Sequence, residues 1–101
     1  MKKLHILFTL IAVVIPVIIS AQPFPTVSNG KTLFIKNCTN CHGEDGAKGK
    51  WGAKDLRKSR LNDEALFYKI STGGWVMPAW GKILSPKELH AVADYIKTLR
   101  N

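Results

Sequence analysis

The chain has 101 residues, room for one small domain and not for two. A chain this short cannot bury a large apolar core. Its 15 Lys and Arg against 7 Asp and Glu give a formal net charge of +8 at pH 7, which leaves nucleic acid, anionic lipid or acidic proteins as partner classes.

Residues 1–21 read as a secretory signal peptide. Lys2 and Lys3 form a basic start, Leu4 to Ile19 is mostly apolar, and Ser20-Ala21 offers small residues before Gln22. The alternative is an uncleaved membrane anchor. A span needs about 20 apolar residues, and this stretch is shorter and contains Pro16. Cleavage leaves 80 residues with 13 basic and 7 acidic side chains, a balance of +6. An exported protein without a nucleic-acid motif has no nucleic-acid partner to explain this charge. It reads either as a docking field for acidic proteins or as an ordinary solvated surface.

Residues 22–27 are an extended lead-in carrying Pro23 and Pro25. Ser28 is placed to cap a first helix over Asn29 to Asn37. Gly30, Leu33, Phe34 and Asn37 recur at helical steps. Glycine inside a helix costs close to 1 kcal/mol against alanine. Close approach of another helix at Gly30 would offset that, unless Gly30 merely frays the start. Phe34 faces the core or a cofactor.

The next five residues, Cys38-Thr39-Asn40-Cys41-His42, contain both cysteines of the chain. Cys-x-x-Cys-His is the attachment pattern of c-type haem. Two thiols form thioethers to the haem vinyl groups, and the adjacent imidazole can bind iron. Three other readings exist. A thioredoxin-like pair needs an alternating strand–helix pattern, which is missing. Zinc needs four ligands and there is no second pair. A disulfide between the two is open only if haem is never attached. Attachment outside the bacterial cytoplasm agrees with the export signal.

Residues 43–52 hold four glycines, so they form a loop that can wrap a cofactor edge and offer His42 a backbone carbonyl. Trp51 either donates its indole N–H near a propionate or fills the small core. Lys54, Arg57, Lys58 and Arg60 read as a solvated face. Asn62 caps a second helix over Asp63 to Ser71, with Leu66, Phe67 and Ile70 inward and Gly73-Gly74 ending it. Trp75-Val76-Met77-Pro78-Ala79-Trp80 holds Met77 on a segment stiffened by Pro78. That suits a thioether meeting iron from the side opposite His42, 35 residues upstream. His90 reads as an exposed surface histidine. Ser85-Pro86-Lys87-Glu88 is a capping box opening a helix to about Leu99, with Leu89, Val92, Ala93, Ile96 and Leu99 as its apolar stripe. Tyr95 flanks the stripe and can cross the first helix near Gly30.

These motifs, in this order, resemble the class I monohaem cytochromes c, of the small bacterial type near the c6 and cbb3-oxidase-subunit domains. The resemblance covers nearly all of residues 28–100, so residues 28–101 are expected to form the cytochrome domain. It implies an all-α fold of three to four helices around one covalently bound haem c, with the first and last helices crossing. It implies thioethers from Cys38 and Cys41 and axial iron ligands His42 and Met77. Related proteins often orient the histidine with a proline carbonyl, and residues 43–52 contain no proline. With both axial positions filled, the expected role is a one-electron carrier between extracytoplasmic redox protein partners, in the periplasm. No catalytic residue and no small-molecule substrate is expected, and membrane contact only if the leader stays uncleaved. The apolar cover is expected from Phe34, Val76, Trp80 and Leu89. Alternatives are a haem subunit dedicated to one dehydrogenase or oxidase, and a haem sensor or peroxidase from whose iron Met77 departs.

Overall fold

The computed structural model describes residues 11–21 and 27–101. Lys2, Lys3 and the proline-bearing lead-in at Pro23 and Pro25 lie outside the described residues. Residues 11–21 are exposed and carry no helix or strand. Among the described residues, no helix is long and apolar enough to cross a membrane.

The described residues form four α-helices and no strand. They are α1 (Val27–Asn37), α2 (Thr39–His42), α3 (Asp63–Thr72) and α4 (Pro86–Thr98). Short 3-10 turns at Lys50–Gly52, Leu56–Lys58 and Trp80–Lys82 join them. Helix α1 starts at Val27, so Ser28 lies within its first turn and not at the position before it. The sequence has no helix breaker between Pro25 and that start. Helix α3 begins where expected and runs one residue further, to Thr72.

The crossing of α1 and α4 is the main packing contact of the fold. A Cβ on Gly30 would collide with the Ala91 carbonyl and stand 3.1 Å from Tyr95 Cβ. Two backbones approach there too closely for any side chain, which answers why a glycine sits in mid-helix. One turn on, Phe34 is fully buried and its ring meets Tyr95 at 5.3 Å between centroids, tilted by 56°. Burying such a ring contributes about 1.5–3 kcal/mol. Leu89, Val92, Ala93 and Ile96 of α4 join Phe34, Leu66 and Ile70 in one core, and Leu99 is half-buried against it.

Local bonds fix the starts of α3 and α4. Ser85 Oγ accepts from the Glu88 amide at 3.2 Å, and Glu88 Oε1 accepts from the Ser85 amide at 3.0 Å. Asn62 Oδ1 accepts from the Ala65 amide at 2.8 Å. Asp63 in the first turn of α3 pairs with Lys97 in the last turn of α4 at 2.8 Å. These charges sit at the helix ends whose dipoles favour them.

Candidate functional site

Helix α1 delivers the cysteine motif. The Cys38 amide donates to the Phe34 carbonyl at 2.8 Å, so the α1 bonding pattern runs straight into the motif. Thr39 Oγ1 donates to the Ile35 carbonyl at 2.7 Å, and the His42 amide donates to the Cys38 carbonyl at 3.0 Å. One tight turn, α2, therefore sets Cys38, Cys41 and His42 in a fixed relation to the buried Phe34.

No disulfide joins Cys38 and Cys41, and both are half-buried. Burial pushes the Cys38 thiol up to about 11, and repulsion from Cys41 adds to it. A redox Cys-x-x-Cys pair works through a thiolate of lowered pKa. The lack of any strand among the described residues argues against the thioredoxin-like reading. The zinc reading fails on geometry. No group of three or more His, Cys, Asp or Glu among the described residues is arranged to hold a metal ion.

His42 is oriented by the chain itself. Its Nδ1 lies 3.1 Å from the Lys54 carbonyl oxygen. A carbonyl can only accept, so Nδ1 carries a proton in this contact. The sequence points to a partner within residues 43–52; the structure supplies it two residues later. The intervening loop is folded back by the Lys48 amide donating to the His42 carbonyl at 2.8 Å and the Leu56 amide donating to the Gly46 carbonyl at 2.9 Å.

Met77 is held by a different device. Gly73 ends α3 at φ 66°, and a Cβ there would collide with the Met77 and Pro78 carbonyls. The Gly74 amide donates to the Met77 carbonyl at 2.9 Å. The Gly-Gly pair thus both stops α3 and folds the methionine segment back over it. Met77 is half-buried and packs against the core.

Cys38, His42 and Met77 line one cleft of about 290 Å³. Its floor is apolar: Phe34, Leu56, Leu66, Ile70, Val92 and Ile96. A side pocket of about 60 Å³ is lined by Cys41 and Trp80, and shares Cys38, His42, Val76 and Met77 with the cleft. One cysteine, an imidazole and a thioether on the apolar cleft, with the second cysteine in the adjoining pocket, match the needs of a flat apolar group carrying an iron.

Some expected positions differ. Leu89 is buried in the α4 core and lines neither the cleft nor the side pocket, because the α4 residues that reach the cleft are Val92 and Ile96. Trp51 is 71 % exposed at the cleft edge, so it does not fill the core. Gly49 and Gly52, both at positive φ, turn its segment outward. The basic stretch is only partly a solvated face. Arg57 pairs with Asp55 at 2.9 Å, and Arg60 donates to the carbonyls of Arg57, Ser59 and Asn101. His90 is exposed, as expected, and stacks on Phe67 at 4.3 Å.

A small all-helical domain whose Cys-x-x-Cys-His turn opens on an apolar cleft defines the c-type cytochromes. The family model described as "Cytochrome C oxidase, cbb3-type, subunit III" matches residues 25–96, and the chain belongs to that family. The cbb3-type cytochrome c oxidase subunit FixP of Azorhizobium caulinodans is 36 % identical over 85 residues, covering 74 % of this chain and 28 % of FixP. Cytochrome c6 of Euglena gracilis is 36 % identical over 76 residues, covering 68 % of this chain and 87 % of that protein. The crystal structure of cytochrome c6 from the diatom Phaeodactylum tricornutum superposes with a TM-score of 0.64 at 28 % identity, over 72 % of this chain and 92 % of the other. The chain spans little more than a quarter of the FixP subunits and most of the Euglena cytochrome c6. The chain is a c-type cytochrome of all-α fold, and its cofactor is covalently bound haem c.

Proposed function

We propose that the protein carries one electron at a time between extracytoplasmic redox proteins, with Cys38 and Cys41 binding one haem as thioethers and His42 and Met77 as its axial ligands. The observation that carries this reading is the meeting of Cys38, His42 and Met77 on one apolar cleft. Residues 1–21 act as the export leader, and residues 28–101 form the cytochrome domain.

The haem, when bound, supplies the Fe(II)/Fe(III) couple. His42, with Nδ1–H engaged by the Lys54 carbonyl, presents Nε2 as a lone-pair donor of fixed tautomer. Met77 offers a neutral, soft sulfur, which favours the ferrous state and raises the potential. Phe34, Leu66, Ile70 and Val92 keep water from the cleft floor and disfavour the extra ferric charge. With the same two side chains as ligands in both oxidation states, little has to move when the electron arrives. With His42 and Met77 both bound to the iron, no position would be left for a substrate, which supports transfer over catalysis.

Met77→Ala tests this. In the purified holoprotein the long-wavelength thioether–ferric iron band should vanish and the midpoint potential should fall. An unmoved potential would mean that Met77 is not a ligand. Carbon monoxide should bind the variant and not the wild type. The FixP relatives favour one second reading, a haem module dedicated to a single oxidase assembly. Co-purification from the native cell separates a tethered module from a free carrier.

A further inference from the structure

Lys54, whose carbonyl engages His42 Nδ1 at 3.1 Å, lies between two short turns and belongs to no helix. No ring locks its φ, as a proline's would be locked. The direction of its carbonyl follows the plane of the Lys54–Asp55 peptide unit. Whatever fixes Asp55 therefore aims the group that orients the imidazole.

Asp55 is held by side chain and backbone together, at φ −71° and ψ 105°. Its Oδ1 accepts from the Arg57 amide at 3.0 Å and from Arg57 Nε at 3.1 Å, and its Oδ2 accepts from Arg57 Nη2 at 2.9 Å. A guanidinium fork on both carboxylate oxygens fixes orientation as well as distance. The two residues are half-buried. Ion pairs this open add little stability, so the main effect of the fork is directional. The Lys58 amide donates to the Asp55 carbonyl at 3.2 Å. On the next residue, the Leu56 amide donates to the Gly46 carbonyl at 2.9 Å, and a Cβ on Gly46 would stand 2.9 Å from Leu56 Cβ.

Arg57 is itself anchored to the residues that follow α4. Its carbonyl accepts from the Asn101 amide at 3.2 Å and from Arg60 Nη1 at 3.3 Å. Arg60 Nη2 donates to the Asn101 main-chain oxygen at 2.8 Å, and Arg100 Nη2 donates to the Leu61 carbonyl at 2.7 Å. The clamp on Asp55 is thus tied to the helix whose Val92 and Ile96 floor the cleft.

We propose that Asp55 is a positioning residue: clamped by Arg57, it aims the Lys54 carbonyl at His42 and so sets how strongly the imidazole donates to the iron, a role that rests on the axial reading of His42. A firm bond at Nδ1–H makes Nε2 a better donor, which favours the ferric state. A carbonyl free to swing weakens that donation, and the potential rises.

The test observes His42 by NMR in the reduced holoprotein. In the wild type its ring protons should be shifted far upfield, as for an imidazole lying over a low-spin ferrous porphyrin. Unshifted protons would remove the axial reading, and this role with it. With the shift present, Asp55→Ala should speed exchange of the Nδ1 proton with solvent about tenfold, the scale of one lost charge-assisted bond, and should raise the midpoint potential. Asp55→Asn keeps an oxygen for the Arg57 amide and should fall between wild type and Asp55→Ala. Asp63→Asn, which breaks the Asp63–Lys97 pair at the start of α3, should leave both readouts at wild-type values. Wild-type exchange and potential in Asp55→Ala, or equal changes in Asp63→Asn, would overturn the role of Asp55 while leaving His42 as a ligand. If Asp55→Ala does not fold, Arg57→Gln decides in its place: it strips the fork, keeps the amide bond, and should move both readouts in the same directions.

Discussion

The α1–α4 crossing and the cleft walls are built on opposite terms. At the crossing, apolar side chains at helical spacing fill a dry contact, and a capping box closes the start of α4 with its own local bonds. The cleft walls consist of short turns, positive-φ residues and long-range backbone bonds, and two tryptophans stand on them. The crossing is a finished core. The walls form half of one, and the other half is the cofactor's to supply. Phe34 belongs to both, packed on Tyr95 on one side and lining the cleft on the other.

Truncating that shared ring should have the largest effect. Phe34→Ala is expected to cost about 3–5 kcal/mol and also to lower the midpoint potential as water enters the cleft. Denaturation and potentiometry on the same sample check both. A stability loss without any change in potential would mean that Phe34 serves the crossing alone. Two glycine variants sharpen the contrast at about 1–3 kcal/mol each, the usual range for overpacking. Gly30→Ala presses on the Ala91 carbonyl and should lower stability while leaving the thioether–iron band intact. Gly73→Ala presses on the Met77 and Pro78 carbonyls and should weaken that band more than it lowers the melting temperature. Equal spectra for the two variants would erase the distinction drawn between the regions.

Ser85→Ala removes one half of the capping box and should cost about 1 kcal/mol, with no change at the cleft. The smallest effect concerns pH. The Lys97 ammonium holds the Asp63 carboxyl below its ordinary range, and Arg57 does the same for Asp55. A carboxyl depressed in the folded state adds stability that is present above its unfolded pKa and lost as pH falls through the folded one. Stability should therefore decline on acidification below about pH 4, and Asp63→Asn should flatten part of that slope. The pair is solvent-exposed, so added salt should shrink the difference.

The same division separates what residue order reveals from what it hides. The capping box, the Asn62 cap and the α4 stripe follow from residue type at helical spacing, because helix formation and capping are local. The candidate site residues are legible too, since Cys-x-x-Cys-His and a proline-fixed methionine are patterns of neighbours in sequence, and three of them, Cys38, His42 and Met77, line one cleft. The His42 partner is not. It is a backbone carbonyl, a group that every residue owns, and only the fold decides that Lys54 brings one to 3.1 Å. Leu89 reads as cleft cover and turns out to be core, because stripe periodicity gives the buried side of a helix without saying which part of it meets a cleft. Trp51 fits two roles on paper, and its exposure is decided by loop dihedrals that no composition fixes. Sequence by itself determined the helices, most of their caps and the family's Cys-x-x-Cys-His motif. Tertiary structure alone decided which carbonyl orients the imidazole, which side chains floor the cleft and which aromatics stand on its walls, because those depend on contacts between segments that sequence separation does not encode.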